Sequence, residues 1–408
     1  MISFQTLGLK FLGLAIHLPE LFSLALAPLA ITQIIKSRQK LLIDNLDLFV
    51  FGWLIATIIS GWHSGFDSIV ATEIIKTAYL VMLYMILKWT ITLEVIERMV
   101  KVIILSSFFT ALTGILGFVL GNLGIETFLA IKRPFPYGIE NVIQAKGFTP
   151  SPNMLASIIM IGVFFQLQKL SKNRTIPNRK DYLIFLTLLI GFSLTFSKTV
   201  VCLLIGIILI LYLNHKSILS FTWRLATSFV IIGLFIAYII ATHFIIVEKD
   251  KSFEHLKGDY IAGPAIIELA NYSIYPSQYW SLKKIAFQAS VESFPWGLGP
   301  GKFNNFAYES KKNSSYPTHV PYPDPHSTYL GTLAEIGLLG FAALFGIITF
   351  IIKYSRNFVK DNLVNQHLIV CLPVIFIVIG IEAICTDVMN FRYYWIVLAI
   401  LVNTNFKE

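Results

Sequence analysis

The stretch Tyr182-Leu-Ile-Phe-Leu-Thr-Leu-Leu-Ile-Gly-Phe-Ser-Leu-Thr-Phe-Ser197-Lys198-Thr-Val-Val-Cys-Leu-Leu-Ile-Gly-Ile-Ile-Leu-Ile-Leu-Tyr-Leu213 decides the fold. It is nearly unbroken apolar sequence, too long for one bilayer crossing, which takes about 20 residues. Basic clusters flank it, Lys169 to Lys180 before and Lys216 with Arg224 after, and Lys/Arg-rich loops stay cytoplasmic. An even number of crossings is therefore required, and the chain is expected to turn at Ser197-Lys198. Each arm then spans about 22 Å of a hydrocarbon core of about 30 Å, which leaves Lys198 below the outer surface. A lysine at that depth calls for a water-filled cavity or an anionic partner; the alternative is a side chain that snorkels to the headgroups. Lys198 is accordingly a candidate site residue.

The rest of the chain repeats this character. Of 408 residues, 56% are hydrophobic and 13% charged, against about 25% charged in soluble domains. Apolar runs of spanning length lie at 4–16, 18–36, 46–63, 69–88, 98–120, 151–168, 182–196, 198–213, 222–243, 327–352, 364–386 and 391–404. The expected fold is an all-α polytopic bundle of about twelve transmembrane helices, one integral domain over 1–408. The basic clusters around Lys36, Lys88, Lys169, Lys216 and Lys353 place both termini in the cytoplasm. The loop at 121–150 and a large, partly helical insertion at 244–325, between helices nine and ten, then face outward.

The net charge of +9 sits in short clusters between apolar runs, a topology signal rather than a nucleic-acid footprint, so no nucleic-acid partner is expected. Cys202, Cys371 and Cys385 all fall inside apolar runs, which implies no disulfide framework and no cysteine metal site. Ala25-Leu26-Ala27 resembles a signal-peptidase site, but no basic region opens the chain, so the first run is read as a span.

After the insertion comes Pro325-His326-Ser-Thr-Tyr329-Leu-Gly-Thr-Leu-Ala-Glu335-Ile-Gly337-Leu-Leu-Gly340. Pro323 and Pro325 stop the loop, and a helix is expected to begin just after His326. This sets the imidazole at the outer mouth, near the positive end of a helix, where protonation is disfavoured and a neutral ring can accept a proton. At 100° per residue His326, Tyr329, Leu330 and Leu333 share a face, with Glu335 opposite.

This run resembles the His-(Asn/Ser)-x-Tyr-Leu…Glu-x-Gly-Leu-x-Gly signature of the O-antigen ligase family, which includes O-antigen and exopolysaccharide polymerases. Three further segments are similar in order: Lys146-Gly-Phe-Thr-Pro-Ser-Pro152-Asn153-Met-Leu-Ala156, the Phe196-Ser197-Lys198 site where the family has Ser-Arg, and Phe294-Pro295-Trp-Gly297-Leu-Gly299-Pro-Gly-Lys-Phe303. The resemblance implies a membrane glycosyltransferase without metal or other cofactor. It would work on the periplasmic face of a bacterial inner membrane. It would move a glycan from undecaprenyl diphosphate to a sugar hydroxyl, on lipid A-core in a ligase or on another lipid-linked repeat in a polymerase. On that pattern His326 is the base or orienting group and Lys198 meets the charge of the leaving diphosphate. Lys146, Asn153, Tyr329 and Glu335 occupy motif positions taken as substrate-binding. Lysine at 198 offers a point charge where the family has the arginine fork. The family's second arginine, before the Pro-x-x-Gly loop, has only Lys283 and Lys284 as counterparts. Either could serve the diphosphate, or both solvate an amphipathic helix on the headgroups.

Other residues have simpler expected roles. His319 caps or packs a Pro/Tyr-rich loop. Glu73 and Lys76 form an intrahelical pair, and Asn153, after Pro152, caps a helix. Glu382, Asp387 and Arg392 read as charges at the mouth of the last hairpin, and Lys132-Arg133 as part of an interfacial loop. Gly297-Leu-Gly299-Pro-Gly301 lacks the strand and Gly-Lys-Ser/Thr of a phosphate loop. The competing function is a transporter or flippase, which should show paired halves with matching broken helices; the sequence shows one interruption, at 197–198.

Overall fold

The structure is a computed structural model that describes residues 8–11, 14–17, 27–28, 32, 43–135, 139–172, 178–215, 221–248, 261, 264–312, 323–360 and 371–405. The helices are α1 (Asn45–His63), α2 (Ser68–Thr90), α3 (Leu93–Asn122), α4 (Pro152–Lys172), α5 (Arg179–Ser193), α6 (Val200–His215), α7 (Phe221–His243), α8 (Gln278–Glu292), α9 (Phe303–Lys312), α10 (Thr328–Glu335), α11 (Gly337–Lys360), α12 (Leu372–Glu382) and α13 (Arg392–Asn405). Among the described residues α1, α2, α3, α4, α7 and α11 are long and apolar enough to cross a membrane, while α6, α12 and α13 are apolar but shorter. The protein is mostly helical, but twelve full crossings are not found in the described residues. In the expected first span, Gly8–Phe11 (β1) and Leu14–His17 (β2) pair as antiparallel strands; a run of 13 residues makes only about 20 Å of helix. The second expected span lies mostly outside the described residues.

The chain does turn between α5 and α6, at 194–199. The membrane core packs α1 on α11, α3 on α4 and α5, α2 on α13, and α6 on α12, around buried Trp395, Tyr84, Phe164 and Phe165. Between α3 and α4, β3 (Ala130–Phe135) pairs antiparallel with β4 (Ile139–Ala145). The insertion builds an antiparallel sheet of β5 (Phe244–Glu248), β6 (Ile267–Glu268) and β7 (Tyr272–Pro276), in the order β5-β7-β6. Helices α8, α9 and α10 share a small core of Leu282, Ala286, Ala289, Phe303, Ala307 and Ala334.

Lys88 does not behave as a solvated topology marker. It is buried against Asp47 and lies 3.1 Å from Asp44, and the same two carboxylates accept from Tyr84 (2.9 Å) and Tyr354 (3.1 Å). The acids also form the capping box of α1, so one cluster ties the ends of α1, α2 and α11 together. A charge buried this far from water is retained by its partners.

The expected helix at 327–352 is broken. Ile336 closes α10, and Gly337 (φ +76°) turns the chain into α11. A second chain segment enforces the break. Leu298 and Gly299 donate their N–H groups to Ala334 O (2.8 Å) and Glu335 O (3.0 Å), and Leu338 N donates to Pro295 O (2.8 Å). A Cβ on Gly337 would sit 2.3 Å from Pro295 O, and one on Gly297 2.5 Å from Glu335 O. Gly337→Ala is therefore expected to cost about 2–3 kcal/mol, combining left-handed strain with a backbone clash. Gly233→Ala, in open space on α7, should change the melting temperature little in the same detergent. Equal melting of the two variants would remove the clasp from the account.

Candidate active site

The α5–α6 turn is built by its own hydroxyls. Ser197 N donates to Thr195 Oγ1 (3.2 Å), Thr199 N donates to Ser197 Oγ (3.2 Å), and the two hydroxyls of Ser197 and Thr199 meet at 2.8 Å. Ser197 Oγ also donates to Asn153 Oδ1 at 2.9 Å. The helix cap expected of Asn153 is supplied instead by Ser151 Oγ, which accepts from Met154 N at 3.2 Å. Asn153 thus serves the Lys198 turn. Ala145, the neighbour of Lys146, donates its N–H to Leu194 O at 2.9 Å, at the start of that turn. Lys198 is exposed and reaches over Tyr279 of α8, its Nζ 5.6 Å from the ring centre.

Tyr279 also meets His326, with ring centres 4.6 Å apart at 67°. His326 is half-buried in the left-handed region, φ +46°, and its N–H donates to Asp324 Oδ1 at 2.8 Å. Among the described residues the non-glycine positive φ angles are those of His326 and Phe196, one at the histidine and one two residues before Lys198. Each costs about 1–2 kcal/mol, and strain of this kind concentrates at functional sites. The start of α10 is fixed by Thr328, whose N–H donates to Ala383 O and whose hydroxyl donates to Thr386 O, both at 2.9 Å. Burial holds the His326 imidazole below its ordinary pKa; the charge of Lys283 acts the same way and Asp324 opposes. The ring is therefore a neutral base at pH 7.

The structure separates the two lysines of α8. Lys284 is exposed and stacks over Trp280, 5.6 Å from its ring centre, as a headgroup-facing residue would. Lys283 is buried, and burial lowers its pKa. Its Nζ lies 2.6 Å from Nε2 of His243 at the end of α7, and 3.5 Å from Cys385 Sγ. Nδ1 of His243 lies 2.8 Å from Ile239 O, a pure acceptor, so Nδ1 carries the proton and Nε2 offers its lone pair to the ammonium. His243 was missed in the sequence because its partner is 40 residues away; the one available signal was an ionisable side chain ending an apolar run. Truncating Lys283 and His243 to Ala, singly and together, should give non-additive losses in inorganic pyrophosphate inhibition, with about 1 kcal/mol or more of coupling. Additive losses would mean that the two act separately.

The remaining motif residues have structural partners. Glu335 accepts from Phe303 N at 3.0 Å, and its backbone O from Ser60 Oγ at 2.6 Å, so it pins the 297–303 loop. Tyr329 donates to Gly380 O at 2.8 Å, away from the lysines. Glu73 and Lys76 pair at 2.6 Å. Glu382 is fully buried and hydrogen-bonded to Ser157, which corrects its reading as an exposed loop charge. Asp387 accepts from Asn390 and is pushed up to about 7 by burial. Lys132 and Arg133 lie on β3, and His319 lies outside the described residues. A polar cavity of about 210 Å³ borders Asp324 and Ser327 and is lined by Glu73, Asn304, Glu335 and Asp387.

Residues 183–345 match the family model described as O-antigen ligase. The chain carries an O-antigen ligase domain. No curated protein matches the chain. The domain runs from α5 into α11 and holds Lys198, His243, Lys283 and His326. That match covers two fifths of the chain and, with the apolar helices, supports a membrane protein similar to the O-antigen ligases, a glycosyltransferase-like enzyme.

Proposed function

We propose that the protein transfers a glycan from undecaprenyl diphosphate to a sugar hydroxyl on lipid A-core, at the periplasmic face of a bacterial inner membrane, with both termini cytoplasmic. The observation that carries this reading is the grouping around Tyr279, whose ring is shared by a neutral imidazole and a lysine, with the charge of Lys283 acting on His326. The acceptor hydroxyl attacks the anomeric carbon and gives its proton to His326. The glycosidic C–O bond breaks, and its electron pair leaves with undecaprenyl diphosphate. Lys198 and Lys283, rather than a metal ion, meet the charge that grows on that diphosphate. The His243 lone pair keeps the Lys283 ammonium turned toward the group.

The description of the matched family favours a ligase; a polymerase uses the same donor chemistry with a lipid-linked acceptor. The test is the surface-glycan profile of a deletion strain on a gel that resolves chain length. Polymerised chains kept on the carrier with none attached are the result expected of a ligase. A single attached repeat without a ladder makes the protein a polymerase, and an unchanged profile discards the O-antigen reading.

A further inference from the structure

Glu382, the last residue of α12, is 0% exposed and takes no part in the transfer step. The groups that face it are the hydroxyl of Ser157 on α4, the thiol of Cys202 on α6, and the hydroxyls of Tyr238 on α7 and Tyr393 on α13. All of these are uncharged in their ordinary state at pH 7. Among the described residues no Lys, Arg or His forms an ion pair with Glu382, and its Oε2 has no hydrogen-bond partner. An ionised carboxylate in such surroundings would keep a full charge with one donor to meet it, and a group buried in that way takes up a proton instead. The hydrogen bonds agree. Ser157 Oγ lies 3.0 Å from Asn153 O and also against Oε1 of Glu382. A carbonyl oxygen only accepts, and a hydroxyl has one proton to give. Both contacts are hydrogen bonds when Ser157 donates to Asn153 O and Glu382, as the carboxylic acid, donates to Ser157 Oγ. A carboxylate would take the Ser157 proton and leave two oxygens facing each other without a hydrogen.

The neighbours of this acid give it a role. Asn153, whose backbone O receives the Ser157 proton, accepts at its side chain from Ser197 Oγ, in the turn that presents Lys198. The residue after Glu382 is Ala383, and its O accepts from the N–H of Thr328, two residues after His326. Glu382 and Ala383 therefore tie the first turn of α4 and the head of α10 to a single point of the chain. We propose that Glu382 is held as the neutral acid and is a positioning residue for Lys198, fixing the lysine's turn relative to His326. This rests on the role given to Lys198 above.

The test uses the full chain in phosphatidylcholine nanodiscs and has two arms. In the infrared spectrum at pH 7 the wild type should show a protonated-carboxyl band that is missing from Glu382→Gln. Identical spectra in that region would mean that Glu382 is ionised and would overturn the inference. The second arm is single-turnover transfer from a lipid-diphosphate-linked donor. Glu382→Gln, whose amide N–H still donates to Ser157, should keep most of the rate, whereas Glu382→Ala should lose about ten- to a hundredfold, the effect of a displaced catalytic group. Ser157→Ala, which leaves the acid in place, should show the same loss and serves if Glu382→Ala does not fold. Glutamine as slow as alanine would remove the bond to Ser157 from the account. In a Lys198→Ala background neither truncation should lower the rate much further, and a full additional loss would make Glu382 a general support of the fold instead of a positioning residue. If no form transfers glycan while the infrared band behaves as expected, the proposed function falls and takes the positioning role with it, and the neutral acid stands by itself.

Discussion

His326→Ala is expected to lower glycan transfer by about two to four powers of ten, the range spanned by general-base catalysis, while the protein still inserts and melts as the wild type does. The fold should persist because the pins at the head of α10 are on either side of the imidazole: Asp324 holds the backbone N–H of His326, and Thr328 is tied to the 383–388 turn. The imidazole packs against Tyr279 in a tilted, T-shaped contact. The readouts are the surface-glycan ladder of a deletion strain supplied with the variant and the thermal unfolding of the purified protein. A fully active variant would remove the base assignment. The same ring sets the pH profile. Its pKa is held below the ordinary 6.5, so the proton-accepting form predominates at pH 7, and the midpoint of the acid limb of the rate profile should lie below 6.5. An acid limb above 6.5 would point to a different base.

Lys198→Ala should reduce donor turnover by about two to three powers of ten, the usual effect of removing one preorganised group that meets charge in the transition state. Lys198→Arg should retain most activity, since the turn that presents the side chain is held by Ser197, Thr199 and Asn153 rather than by the lysine itself, and arginine keeps the charge. Single-turnover rates with a lipid-diphosphate-linked donor separate this loss from weaker binding. Arginine as inactive as alanine would mean that position 198 does not clamp a diphosphate.

The parts of this architecture that could be read from sequence are those with local causes. The turn at 194–199 follows from basic clusters on both sides of an over-long apolar run. The start of α10 just after His326 follows from Pro323 and Pro325. Residues with distant causes were misjudged. Gly337 reads as a tolerated glycine within a helix, and the carbonyl that ends the helix there belongs to Pro295. Lys88 reads as a cytoplasmic charge, yet its partners lie 41 and 44 residues earlier. Asn153 carries every local mark of a helix cap, but Ser151 takes that task and leaves its amide for Ser197. Lys283 and Lys284 are neighbours in sequence, and only the packing of α8 on α7 and α10 buries one and exposes the other.

The clasp between residues 295–299 and the α10–α11 break also decides how the site meets its surroundings. A membrane helix answers a thicker or thinner bilayer by changing its tilt, and a histidine on one continuous rod would swing with it. Here the eight residues of α10 hang from the 295–299 loop by backbone hydrogen bonds, and Gly337 sits at the joint. Leu338 N is bonded to Pro295 O as well, so the first turn of α11 is held with α10, and tilting of α11 is expected to be taken up beyond that turn while His326 keeps its place beside Tyr279. Transfer measured in vesicles of longer and shorter acyl chains should therefore vary little, making the enzyme indifferent to membrane thickness.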